Sequence, residues 1–260
     1  MNRVTEWLLP ALVGLAGLGT WEAVVWLAEI PPYILPAPSA IAVKLVTDWD
    51  ILGPSLLFTL ETTFLALLAA VLGGGALAIL FAQSRLIERS FFPFAVVLQV
   101  TPIVAVAPLI IIWVDNMLAA LLICAWIVAF FPILSNTTLG LNSADRNLVA
   151  LFRIYGASRW QVLRFLRLPS AMPYFLAGLR ISGGLSLIGA VVAEFVAGAG
   201  GRESGLAYRI LEAGYRLDVA RMFAALFLIS AAGIAIYLLL SGVSWLALHH
   251  WHESVSRPEE

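Results

Sequence analysis

Long apolar runs separated by short polar breaks make up nearly all of this chain. Six runs are each long enough to cross a bilayer, which takes about 20 apolar residues in a helix. They cover residues 7–28, 56–82, 92–114, 117–138, 172–197 and 221–248. The pattern predicts an all-α membrane protein of about six spans, forming a single transmembrane domain over 1–260. Pro102 and Pro108 in the third run and Pro132 in the fourth each remove a ladder hydrogen bond, which predicts kinks. Small residues recur every four positions: Ala66, Ala70, Gly74, Ala78 and Ala82 in the second run, Gly178, Ser182, Ser186 and Ala190 in the fifth. Gly189, Ala193 and Ala197 lie beside the latter. That spacing puts each set on one helix face, where backbones can approach closely.

The breaks differ in character. Residues 31–55 hold Pro31, Pro32, Pro36, Pro38 and Pro54 and predict an extended external loop. Residues 198–220 begin with Gly198, Gly200, Gly201 and Gly205, then run from Leu206 to Tyr215. They predict a glycine-rich turn and a short re-entrant or surface helix. Residues 139–171 form a basic loop.

Composition sharpens the picture. The chain is 62% hydrophobic and 12% charged, where soluble domains run about 45–50% and about 25%. So little polar surface leaves lipid as the solvent for much of the molecule. A net charge of −1 gives no footprint for nucleic acid. Cys124 is the single cysteine, which excludes an intrachain disulfide and a thiolate metal cluster; in an apolar run it reads as a small core residue. No small-residue cleavage site follows a short apolar stretch near the N-terminus, so residues 7–28 read as an uncleaved span.

Orientation follows from basic residues in short loops. One side carries Arg3, Arg85, Arg89, Arg146, Arg153, Arg159, Arg164 and Arg167; the other has Lys44, Arg202, Arg209, Arg216 and Arg221. Eight against five places both termini in the cytoplasm.

The basic loop is the most informative segment. Asn147 to Tyr155 predict a short helix, and Gly156 suits the left-handed cap that ends it. Ser158 and Gln161 have capping-box spacing for a second helix. Trp160, Leu163 and Leu166 fall on one face, Arg164 and Arg167 off it, and Pro169 is expected to stop the helix. On physical grounds alone this basic amphipathic hairpin is either a membrane-surface element for anionic lipid or a docking element.

The segment resembles the EAA loop of binding-protein-dependent ABC importer permeases: Glu-Ala-Ala, three residues, Gly, nine residues, Ile, one residue, Leu-Pro. Gly156 occupies the glycine position, Leu166 the isoleucine, and Leu168-Pro169 the Leu-Pro. Ala150, Leu151 and Phe152 stand where Glu-Ala-Ala would be. The stretch from Pro32 to Ser39, and Pro102, Ala105, Pro108, Leu109 and Trp113, are similar to the branch handling nitrate, sulfonate, taurine and bicarbonate, with riboflavin and thiamine-pyrimidine precursors nearby. The resemblance implies the type I importer permease fold and a multi-pass place in a bacterial cytoplasmic (inner) membrane. It implies pairing with a second permease copy as a homodimer, docking of a separate ABC ATPase, and delivery of substrate by a periplasmic or lipid-anchored binding protein. The 147–169 stretch would couple to the ATPase through Tyr155, Gly156, Ala157, Ser158, Arg159, Trp160, Leu163, Leu168 and Pro169. The chain has no Gly-x4-Gly-Lys-Ser/Thr phosphate loop, and its one lysine, Lys44, lies in the external loop, so ATP belongs to the partner subunit and no cofactor to this chain.

Charges within spans are functional candidates by default. Glu22 and Glu61 lie near span ends, as interfacial groups; Arg180 and Glu194 lie within the fifth run. Arg180 and Glu194, with Pro102 and Pro108, are the candidate translocation-path residues, Glu194 near the outer mouth. His249, His250 and His252 with Glu253 could hold a metal on paper, but read as an interfacial helix end anchored by Trp251; no metal site is expected. The alternative reading is a secondary transporter or channel, which would call for inverted repeats or many intramembrane acids. An intramembrane enzyme would need catalytic groups such as His-Glu-x-x-His, which the sequence lacks.

Overall fold

A computed structural model describes residues 3–198 and 204–249, and every regular element in them is helical. The elements are α1 (Arg3–Leu27), α2 (Pro38–Thr47), α3 (Trp49–Gln83), α4 (Arg85–Val100), α5 (Ile103–Trp113), α6 (Met117–Asn142), α7 (Arg146–Ile154), α8 (Arg159–Val162), α9 (Leu168–Ala197), α10 (Leu206–Tyr215) and α11 (Val219–Leu248). Five of the described helical stretches are long and apolar enough to cross a membrane, six if α4 and α5 make one span.

Two of the sequence expectations are corrected here. Residues 31–55 are not an extended loop: α2 occupies their centre, and α3 starts at Trp49 rather than 56. Pro38 sits in the first turn of α2, where a missing N–H costs nothing. The third run is not one kinked span. It is two helices bent by 99° at Thr101–Pro102. Thr101 before the proline is extended (φ −70°, ψ 121°), as the proline ring requires, and its hydroxyl donates to Val97 O at 2.7 Å, satisfying a carbonyl at the end of α4. Helix α4 also begins at Arg85, seven positions ahead of the apolar run, so Arg85 and Arg89 are helical rather than loop residues.

Contacts divide the chain into two compact units. The first comprises Met1–Phe58 and Gly198–Ser230. Its core is Ile41, Leu52, Leu206, Ala224 and Ala225, flanked by Trp21 and Phe223, whose rings lie 5.8 Å apart. The second comprises Thr59–Ala197 and Ala231–Glu260. Its centre is α6, against which both small-residue faces pack. Ala66, Ala70 and Ala78 of α3 and Ser182, Ser186, Ala190 and Ala193 of α9 are buried. Ser182 donates to Ala129 O of α6 at 2.7 Å. A Cβ on Gly178 would lie 2.8 Å from Pro132 O. In lipid, where apolar contact alone gives no preference for protein over solvent, this backbone-to-backbone approach is what holds helices together. The four-residue periodicity is therefore a packing pattern. Phe81, Phe92 and Phe131 pack as successive tilted ring pairs in this unit, with centroids 6.4 and 6.0 Å apart.

Candidate functional site

The 139–171 loop is built by local sequence signals. Asp145 caps α7, accepting from Asn147 N–H and Leu148 N–H, so the helix starts one position earlier than the sequence predicts. The helix ends in a Schellman motif. Gly156 has φ +70°, its N–H donates to Arg153 O at 3.0 Å, and Ala157 N–H donates to Phe152 O at 2.9 Å. The predicted capping box is present, with Gln161 N–H donating to Ser158 Oγ at 3.3 Å and Ser158 N–H to Gln161 Oε1 at 2.7 Å.

Beyond it, two expectations fail. Pro169 does not stop the helix. A π-helical turn, Leu163–Arg167, joins α8 to α9, and Leu168 N–H reaches back five residues to Leu163 O. The slip in register relieves the clash between a proline ring and the carbonyl four residues before it, and Ser170 Oγ donates to Leu166 O at 2.8 Å. The helix therefore runs on into the membrane span. Nor do Trp160, Leu163 and Leu166 share an environment. Leu163 is 1% exposed and belongs to the α3–α6–α9 core, and Leu166 is buried, whereas Trp160 is 64% exposed.

The candidate loop residues thus fall into two groups. Leu163 and the half-buried Leu168 anchor the loop to the core, with Pro169 beside them in the first turn of α9. Arg167 adds to the anchor by donating to Ala82 O at 2.7 Å, an end carbonyl of α3. Tyr155, 82% exposed, Gly156, Ser158, Arg159 and Trp160 form the outward tip with the partly exposed Ala157. A shallow apolar recess of about 280 Å³, lined by Leu151, Phe152, Tyr155, Ala157, Gln161 and Phe165, opens beside the turn. The tip is a tight turn that leaves the rings of Tyr155 and Trp160 exposed.

The intramembrane candidates are not brought together. Arg180 lies on the exposed side of α9 with no ion-pair or hydrogen-bond partner among the described residues. Glu194, fourteen residues on, is about 21 Å away along the helix axis. Glu194 is 2% exposed and accepts from Thr59 Oγ1 of α3 at 2.8 Å, with Thr62 and Thr63 also buried there. Pro102 starts α5 at the 99° bend, and Pro108 lies inside α5. Glu61 is exposed on α3. Among the described residues no group of His, Cys, Asp or Glu is placed to hold a metal. His250, Trp251, His252 and Glu253 lie outside the described residues, while the His249 ring stacks on Trp245 at 4.5 Å.

Sequence reading missed an ionic network in the first unit. Lys44 Nζ is 2.8 Å from Asp218 Oδ2 and 3.5 Å from Asp48 Oδ2. Arg221 Nε donates to Asp48 and approaches Asp218 at 3.6 Å. Arg209 bonds Glu212 at 2.8 Å, Ser55 at 2.9 Å and Ser204 at 3.0 Å, and Arg216 pairs with Glu212 at 2.8 Å. Burial pushes the Asp48 carboxyl up, but the hydrogen bond from Arg221 and the surrounding cations outweigh it, so its pKa falls below the ordinary value. The hydrogen bond to Asp218 raises that of Lys44. The only signal in the sequence was the coincidence of charges in two distant loops. Glu22 was missed in another way: Ser39 N–H and Oγ donate to its carboxylate at 3.0 and 2.7 Å, so it caps α2 from α1.

Residues 70–253 match the family described as binding-protein-dependent transport system inner membrane component. The chain is 33% identical over 248 residues to a probable ABC transporter permease protein of Haemophilus influenzae, covering 95% of this chain and 98% of the relative. It is 36% identical over 242 residues to the riboflavin transport system permease protein RibX of Chloroflexus aurantiacus, covering 90% and 86%. It is 32% identical over 239 residues to the formylaminopyrimidine transport permease protein ThiX of Halalkalibacterium halodurans, covering 90% and 92%. In fold it is similar to a chain of the MetNI methionine ABC transporter solved in inward facing conformations, with a TM-score of 0.66 at 17% identity over 76% of this chain and 96% of that one. With its apolar helical spans and this match over most of its length, the chain belongs to the inner membrane components of binding-protein-dependent transport systems, as a multi-pass ABC importer permease of the type I fold.

Proposed function

We propose that this permease pairs with a second copy of itself, docks a cytoplasmic ABC ATPase through the tip at 155–160, and imports a small organic or inorganic anion, or a vitamin precursor such as riboflavin or a pyrimidine, delivered by a binding protein. The observation that carries the coupling role is the pairing of a stiff turn with an exposed apolar tip. Gly156 at φ +70° fixes the turn, while Tyr155 and Trp160 stay exposed and Leu163 is locked in the core. A lever must be rigid at its root and sticky at its end, and the loop has both properties. ATP hydrolysis then belongs to the partner, and alternating access follows from the ATPase binding one permease state better than the other.

Both termini lie in the cytoplasm in this reading. The charge balance supports it in a way the bare count did not. On the proposed outer side Lys44, Arg209, Arg216 and Arg221 are all ion-paired, whereas Arg85, Arg89, Arg146, Arg153 and Arg159 have no ion pair among the described residues. The substrate class is supported by the relatives that carry riboflavin, formylaminopyrimidine and taurine in their names.

Cysteine cross-linking tests the docking. Cys124 is buried and is the single native cysteine, so Tyr155→Cys supplies one accessible thiol. It should cross-link to the co-expressed ATPase, while Ser39→Cys should not. Cross-linking from Ser39→Cys alone would place the ATPase on the other side and overturn both docking and orientation.

A further inference from the structure

Five arginines face one cleft in the second unit, and none has an ion-pair partner among the described residues. Arg85 and Arg89 come from the first turns of α4, Arg146 and Arg153 from α7, and Arg167 from the π-helical turn. They line about 780 Å³ with a single acid, Glu88. A second recess of about 460 Å³ shares Arg85, Arg153 and Arg167 and runs on toward Arg159. Concentrating like charge around a hollow is unfavourable unless something anionic fills it. Arginine is the side chain suited to holding phosphate, because its planar fork donates two parallel hydrogen bonds.

The place of the cleft in the fold narrows the occupant. Its walls are where membrane helices end: α3 stops at Gln83, α6 at Asn142, and α9 begins at Leu168. Beyond Arg89 α4 turns apolar, and Phe91 and Phe94 are 57% and 70% exposed on it. A soluble phosphate would use only the arginines. A phospholipid would use the arginines for its headgroup and the exposed α4 residues for its acyl chains. Basic pockets at the cytoplasmic ends of spans take anionic lipids on this principle.

We propose that this cleft is a binding site for the phosphate headgroup of an anionic phospholipid. The lipid bridges α4 and α7, and so sits behind the 155–160 tip rather than on it. The site rests on the orientation proposed above, which puts the cleft on the cytoplasmic side; it stands whether or not the tip docks an ATPase.

The test uses the full chain, with whatever partners co-purify, in nanodiscs of phosphatidylcholine with and without 20–30% (about a quarter) phosphatidylglycerol. Retained lipid is read by native mass spectrometry, and thermal stability in parallel. The wild type should retain phosphatidylglycerol over phosphatidylcholine and melt higher in its presence. Arg89→Gln with Arg153→Gln should weaken that retention roughly thirtyfold, while Arg164→Gln, on the same loop but outside the cleft, should not. Inorganic phosphate added to phosphatidylcholine discs at matched ionic strength should not reproduce the shift. If it does so, and the double variant abolishes the effect, the occupant is a soluble phosphate and the lipid assignment is overturned. Equal retention of the two lipids by the wild type would overturn the site without reference to any variant.

Discussion

Lys44 and Asp218 are 174 positions apart in the sequence, yet Lys44 Nζ lies 2.8 Å from Asp218 Oδ2. With Asp48 and Arg221 they tie α2 to the start of α11 within the first unit. Both cations and both acids are partly buried, so each removal leaves an opposite charge less compensated. Asp218→Asn should lower stability by about 1 kcal/mol, measured as a drop in melting temperature of the detergent-solubilised chain. An unchanged melt would mean the network contributes nothing.

The same network sets a pH dependence. Asp48 titrates below its ordinary 3.8 in the folded state. Its contribution is therefore complete above 3.8 and is lost as pH falls through the lower folded value. Lys44 titrates above its ordinary 10.5, so its contribution is complete below 10.5 and is lost as pH rises through the raised value. Neither group should change stability between about pH 5 and 9. Asp48→Asn should flatten the acid limb of a melting-temperature profile and leave the plateau shape alone. A steep slope at neutral pH that vanished in this variant would contradict the assignment.

Gly156 separates backbone strain from bulk. At φ +70° a β-carbon costs about 1–2 kcal/mol, and nothing lies within 4 Å of where it would stand. Gly156→Asn keeps the left-handed turn and should fold and insert normally. Gly156→Leu is strained and bulky at the docking tip, and should lose uptake and ATPase stimulation while membrane insertion persists. Uptake at the wild-type rate in Gly156→Leu would remove the turn from the coupling account.

Gly178 tests the packing reading of the small-residue faces. A Cβ there meets Pro132 O at 2.8 Å, so Gly178→Val should destabilise by about 1–3 kcal/mol. Ser182→Ala loses one interhelical hydrogen bond, to Ala129 O, and should cost only about 0.6 kcal/mol. The order of the two effects is the check; a larger loss at Ser182 would mean hydrogen bonding, not close approach, holds α9 to α6.

Glu194 can be divided by chemistry. Glu194→Gln keeps an oxygen that accepts from Thr59, and should preserve the fold; Glu194→Leu removes the buried acceptor of the Thr59 Oγ1 bond and should destabilise by about 1–3 kcal/mol. Loss of uptake in a well-folded Glu194→Gln protein would assign the charge itself to the translocation path.

The sequence made the long spans legible because lipid imposes one strong requirement, apolar length, and it made the α7–α8 turn legible because capping is local. Gly156, Ser158 and Gln161 act through neighbours within three residues of themselves. What it hid was non-local or cumulative. Lys44 and Asp218 have no mutual signature until the chain folds. The bend at Thr101–Pro102 was visible as a proline, but nothing local distinguishes a kink from a break of 99°. The π-helical turn before Pro169 is a choice between stopping and slipping register, decided by the packing of Leu163 and by Arg167 reaching Ala82 O. Helix α2 was concealed by prolines that signal extended chain when counted and helix starts when placed.

The most direct test of the central claim is purification of the tagged chain from mild detergent with quantitative mass spectrometry of whatever accompanies it. An ABC-type ATPase at one copy per permease, lost when the 155–160 tip is altered, is the predicted result. A partner-free oligomer that still moves solute across liposomes without ATP would contradict it, and would make the protein a self-sufficient transporter.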